Sequence, residues 1–103
     1  STIRDSIGSN EVSDYASKIV SAAESVYYSG EPSKLTVSAY LPQETREVEI
    51  LDNTLVVSYT TRAGTAKIGV VSRVPINGVL TSYPGIHKIS VVAQADGVEV
   101  SET

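Results

Sequence analysis

The chain has 103 residues, 41% apolar and 19% charged, with a formal net charge of −4, which is one globular domain's worth of sequence. The acidic balance and the scattered Lys and Arg exclude the basic stripe that nucleic-acid binding needs. Cysteine is absent, so disulfides, thiolate metal sites and thiol nucleophiles are excluded too.

Phe, Trp and Met are also absent. The core must therefore come from Val, Ile, Leu, Ala and Tyr, a β-branched mixture that favours strands. Since the chain starts at Ser1 without a methionine, a removed upstream segment is expected. No apolar run approaches the roughly 18 residues that a membrane span requires.

Residues 1–9 are mixed, contain Gly8 and read as a lead-in. Asn10 is a good N-cap, with Glu11 and Asp14 placed to meet the positive helix end. From Val12 the apolar residues Tyr15, Ala16, Ile19, Val20, Ala22, Ala23, Val26 and Tyr27 recur at helical spacing, on an arc of roughly 160°. Gly30 and Pro32 stop the pattern. The reading predicts an amphipathic helix over 10–28, about 28 Å long.

After Pro32 the period becomes two. Leu35, Val37, Ala39 and Leu41 make a strand closed by Pro42. Val48 and Ile50 mark a second, followed by a two-residue turn at Asp52-Asn53. Leu55, Val57 and Tyr59 mark a third, with Val56 partly covered on the other side. Arg62-Ala63-Gly64 reads as a three-residue turn before Ala66, Ile68 and Val70. Residues 73–85 read as irregular, pinned to the core by Val74, Ile76, Val79 and Leu80. His87, Ile89, Val91 and Ala93 start a last hairpin, turned at Asp96-Gly97, from which Val98 and Val100 return. The expected fold is a single α+β domain: the N-terminal amphipathic helix packed on an antiparallel β-sheet or small sandwich of about six strands over residues 34–102.

No catalytic constellation is visible, and the chain reads as a non-enzyme. His87 is the one histidine, and no sequence feature marks the buried acid a triad would need behind it. Gly64 and Gly69 have phosphate-loop spacing, but Val70-Val71 stand where Lys-Ser/Thr would be. Glu44, Glu47 and Glu49 lack the alternating ligands of a calcium loop. No cofactor or metal is expected.

Serine recurs at every fourth position from Ser9 to Ser33. Within the helix, Ser13, Ser17, Ser21 and Ser25 form a small-residue ridge opposite the apolar stripe. Glu, Lys and Ala would be better helix formers there, so the ridge reads as a track along which another helix can approach closely. Were the helix to run back through Gly8, Ile3 and Ile7 would join that face.

The segment Ala22-Ala23-Glu24-Ser25-Val26-Tyr27-Tyr28-Ser29-Gly30-Glu31-Pro32-Ser33-Lys34, continuing through Leu35-Thr36-Val37-Ser38-Ala39-Tyr40-Leu41-Pro42, resembles the archaeal class III signal peptide proteins, which are type IV pilin-like surface proteins. Its helix end, Tyr-x-x-Gly-x-Pro turn and first strand ending in Tyr-x-Pro carry the resemblance over residues 16–42. What it implies is the soluble head of a cell-surface subunit. An upstream leader and a hydrophobic helix of roughly 20 residues would provide the membrane contact and the self-association. The competing expectation is a binding module that contacts a surface-layer protein or a glycan through Tyr40, Tyr83 and the loops, since amphipathic Tyr on a rigid sheet suits recognition.

Overall fold

A computed structural model describes the backbone of residues 2–103 and the side chains of residues 8–103. The chain begins with one helix, α1 (Thr2–Ser29), followed by seven strands. In order these are β1 (Lys34–Leu41), β2 (Thr45–Leu51), β3 (Thr54–Thr61), β4 (Gly64–Val71), β5 (Ile76–Val79), β6 (Gly85–Gln94) and β7 (Gly97–Glu102). The fold is α+β, with the helix packed on two sheets.

The helix already includes Thr2 and does not wait for Asn10, so residues 2–9 are helix and not a lead-in. Glycine inside a helix costs only about 1 kcal/mol and is no stop signal by itself. Gly8 is buried, and a Cβ there would meet only Glu44 Oε1, at 3.9 Å. The 28 residues make a rod about 42 Å long. The side chains of Ile3 and Ile7 lie outside the described residues. At the other end Gly30, at φ 82°, donates its N–H to the Val26 and Tyr27 carbonyls, both at 3.1 Å. This left-handed glycine ends the helix where the sequence predicts.

The smaller sheet is the meander β2-β3-β4, antiparallel throughout. Its first turn is Asp52-Asn53, with both residues at positive φ (49° and 60°). This is the mirror-image turn that suits the twist of a two-residue hairpin. The second turn uses only Arg62 and Ala63, and Gly64 already pairs with Thr61 at the start of β4.

The larger sheet runs β1-β6-β7-β5 and is mixed. The expected α+β fold, a helix on an antiparallel sheet or small sandwich of about six strands, is the one observed, with one local difference: residues 73–85, read as irregular, contain a short further strand, β5, which pairs parallel to β7. The reason is topological. The last hairpin inserts β7 between β6 and β5. The chain reverses between β5 and β6 and again between β6 and β7, so β5 and β7 point the same way. The last turn is Ala95-Asp96, one residue earlier than expected, with Gly97 opening β7.

Gly78 lets β5 lie so close. Its φ is 143°, and a Cβ would fall 1.9 Å from the Val100 carbonyl oxygen. Val79, expected to face the core, is 86% exposed, while Val74, Ile76 and Leu80 are buried as expected.

The crossover from the small sheet to the large one is held by polar contacts. The Asn53 carbonyl accepts from the Ser72 N–H (2.8 Å), and its Oδ1 accepts from the Ile76 N–H (3.2 Å). Glu24 of α1 accepts from the Arg73 N–H at 2.8 Å. The buried Ser72 hydroxyl donates to the Val74 carbonyl at 2.7 Å.

α1 lies between the sheets. It packs on β1 and β6 of one and on β4 and β3 of the other, while β2 and β5 meet at the opposite side. Val12, Tyr15, Ala16, Ile19, Val20, Ala22, Ala23 and Val26 are all buried. They face a core that includes Leu41, Leu55, Val57, Ile89, Val91 and Val100.

Ile19→Ala should lower stability by about 2–5 kcal/mol in urea unfolding, because Ile19 is fully buried. Ser21→Ala, on the outer face, should stay within about 0.5 kcal/mol of the parent protein. Gly78→Ala should destabilise by more than about 2 kcal/mol, because the main chain of β5 must move off Val100. Hydrogen exchange should then show that strand losing its protection first.

Candidate functional site

The outward side of α1 is the first candidate surface. Ser17, Ser21 and Ser25 are exposed, and Ser13 is half-buried. Each step of four residues rotates about 40° around the helix axis, so the ridge drifts and its Ser13 end turns toward the flank of the β domain. The Ser29 hydroxyl donates back to the Ser25 carbonyl at 3.0 Å. Beyond the ridge, Tyr28 is exposed and meets Tyr27 edge to face, with ring centroids 5.9 Å apart.

Tyr40 and Tyr83 are both exposed, in different settings. Tyr40 stands on the outer face of edge strand β1, directly across from Ile86 of β6, which is 71% exposed. It also lines a groove of about 270 Å³ between α1 and β1, whose other walls are Glu11, Asp14, Tyr15, Lys18 and Ala39. Tyr83 lies in the segment between β5 and β6, over the ring of His87, with centroids 4.2 Å apart.

His87 is the centre of a polar cluster. It is 1% exposed, on the inward face of β6. Its Nδ1 lies 3.0 Å from Glu102 Oε1, and its Nε2 lies 2.6 Å from the Tyr83 carbonyl oxygen. The second carboxylate oxygen of Glu102 accepts the Thr81 N–H at 3.1 Å. Tyr15 of α1 meets the imidazole edge-on at 6.3 Å, and its buried hydroxyl has no hydrogen-bond partner among the described residues. Burial, and secondarily the negative charge of Glu102, push the Tyr15 phenol above its ordinary pKa. It therefore stays neutral.

The sequence marks no acid behind His87, yet the structure supplies one. The missed signal lies in the register of the last hairpin. A turn at Asp96-Gly97 would set Glu102 opposite Val91, whereas the observed turn sets it opposite Ile89, two residues from His87 on the same face. The arrangement still lacks the geometry of a catalytic triad. A triad needs Nε2 free to take a proton from a nucleophile, and here a main-chain carbonyl occupies it. Chemically, the cluster clamps the segment 80–84 onto the sheet.

Among the described residues no three His, Cys, Asp or Glu side chains converge as metal ligands, and no helix is long and apolar enough to cross a membrane. No family model, curated protein or solved structure matches the chain.

His87→Leu should cost about 1–3 kcal/mol of stability, because it strips a hydrogen-bond partner from Glu102 and from the Tyr83 carbonyl. Combined with Glu102→Gln in a thermal-unfolding double-mutant cycle, it should give a coupling of about 0.5–3 kcal/mol, as expected for two side chains in direct contact.

Proposed function

We propose that this chain is the non-catalytic soluble head of a type IV pilin-like subunit, exposed at an archaeal cell envelope and assembled or anchored through its N-terminal helix. The observation that carries this reading is the form of α1. It runs unbroken from Thr2 to Ser29, sinks one face between two sheets and leaves the other face to solvent. The order of elements after it supports the same reading. α1 ends at the Tyr-x-x-Gly-x-Pro segment, and β1 ends at Leu41, before Pro42. The partners implied are other copies of the subunit, with membrane contact only through the upstream helix. The net charge of −4 fits no nucleic-acid role.

Small side chains let helix backbones approach closely, and bulky ones prevent it. Ser17→Phe and Ser21→Phe in the full-length protein should therefore abolish assembly while thermal unfolding of the head changes by no more than about 0.5 kcal/mol. Filaments of ordinary yield and shape from such variants, seen by electron microscopy, would remove the basis for the proposal.

A second reading is favoured by the exposed Tyr40–Ile86 pair beside the α1–β1 groove. Here the head contacts a surface-layer protein or glycan, and Tyr40→Ala should reduce retention of the purified head on isolated cell envelopes.

A further inference from the structure

The two ring nitrogens of His87 both face hydrogen-bond acceptors. On one side is the Glu102 carboxylate at 3.0 Å, on the other the Tyr83 carbonyl at 2.6 Å. A carbonyl can only accept, so that contact requires a proton on Nε2. The Nδ1 contact requires a second proton, carried either by the ring or by Glu102. The pair therefore makes both contacts only while it holds at least two protons between its members.

We propose that His87 and Glu102 form a proton-dependent latch, which holds the segment 80–84 and the Tyr83 ring against the sheet while the pair keeps both protons and releases them when one is lost. This inference rests on the cluster alone and not on the pilin-like reading. Three contacts tie the segment down: Nε2–H to the Tyr83 carbonyl, Thr81 N–H to Glu102 Oε2, and the Tyr83 ring lying at 31° over the imidazole.

Removal of one proton leaves the ring with a single N–H. If that proton stays on Nε2, the Tyr83 contact survives, but the Nδ1 lone pair repels the Glu102 carboxylate, which draws away from the ring and loosens the Thr81 N–H bond that its other oxygen accepts. If it moves to Nδ1, the Nε2 lone pair faces the Tyr83 carbonyl at 2.6 Å. Either way one attraction becomes a repulsion at a ring that is itself fully buried. Addition of a proton instead, giving a charged ring beside a neutral Glu102, removes the charge assistance from the Nδ1 and Thr81 contacts. The hold is thus strongest with two protons in the pair and weakens on both sides of that state.

Few other groups can substitute. Among the described residues, the titratable group facing His87 from α1 is Tyr15, which burial keeps neutral. From β7 it is Glu102 itself, and from the 80–84 segment it is Tyr83. β1 offers only Ala39 opposite His87. Thr81 Oγ1 lies 3.5 Å from Nδ1, too far for a strong replacement. Because Tyr83 is an exposed side chain on the clamped segment, the latch makes one part of the surface responsive to pH.

The test uses the full 103-residue chain, with NMR of the His87 ring nitrogens and hydrogen exchange at the Thr81 amide, corrected for its intrinsic pH dependence. Thr81 protection should fall about tenfold, the equivalent of one net hydrogen bond, over the same pH interval in which the ring nitrogens report loss of a proton. Glu102→Gln and His87→Gln should each flatten that step, and the parent protein provides the decisive measurement even if neither variant folds. Constant Thr81 protection through ring deprotonation would overturn the proposal. So would a ring that keeps both protons until global unfolding, or an undiminished step in a folded Glu102→Gln variant.

Discussion

Two sheets that share no strand need something to hold them face to face, and in this protein that is the apolar side of α1. On one side the sheets meet through β2 and β5. On the other, β1 and β4 are separated by the helix. Removal of the helix would open Leu55, Val57, Ile89 and Val91 to water, and burying each such side chain contributes about 1.5–3 kcal/mol. The stripe mixes large and small residues. Tyr15, Ile19 and Val26 fill volume, while Ala16, Ala22, Ala23 and the facing Ala39 of β1 let the helix sit deep between the sheets. Neither the four-stranded nor the three-stranded sheet buries its apolar face without this insertion, so the domain's stability and the position of α1 are one property.

The passage from one sheet to the other is organised by hydrogen bonds rather than by apolar packing. Asn53 serves twice, as a turn residue at positive φ and as the acceptor that receives two main-chain N–H groups of the crossover. Glu24 brings the helix into the same junction. These bonds satisfy main-chain groups where the chain has left its ladder. They also make the helix, the small sheet and the start of β5 mutually dependent.

Such a frame separates the surfaces available for interaction. The serine side of α1 faces away from the sheets. The Tyr40–Ile86 pair lies on the outer face of the large sheet, and the His87–Glu102 clamp sits inside it beneath Tyr83. The polar cluster adjoins an otherwise aliphatic interior, in which the buried Tyr15 phenol lies close enough to Glu102 for the carboxylate's charge to disfavour its ionisation.

Local rules made much of this legible. The 3.6-residue stripe of α1, its stop at Gly30 and the pleated alternation in β1, β3 and β6 all follow from which side chains must leave water, and they appear in order along the chain. The start of α1 was not legible, because a mixed segment with one glycine favours neither helix nor loop strongly enough to decide. β5 was hidden by its four-residue length and by Asn77-Gly78, which reads as a turn until the tight approach to Val100 is known.

The candidate sites divide the same way. Exposure of Ser17, Ser21 and Tyr40 follows from the periodicity of their own elements. The meeting of His87 with Glu102, Thr81 and Tyr83 depends on a register that a one-residue shift in the last turn would destroy. Composition and pattern thus determined a helix with one greasy side, a set of hairpins and an α+β class. The tertiary structure alone decided the division into two sheets, the parallel pairing of β5 and the buried imidazole clamp. Burial periodicity acts on each segment separately, whereas strand order and polar pairing depend on groups far apart in sequence that only the folded chain brings together.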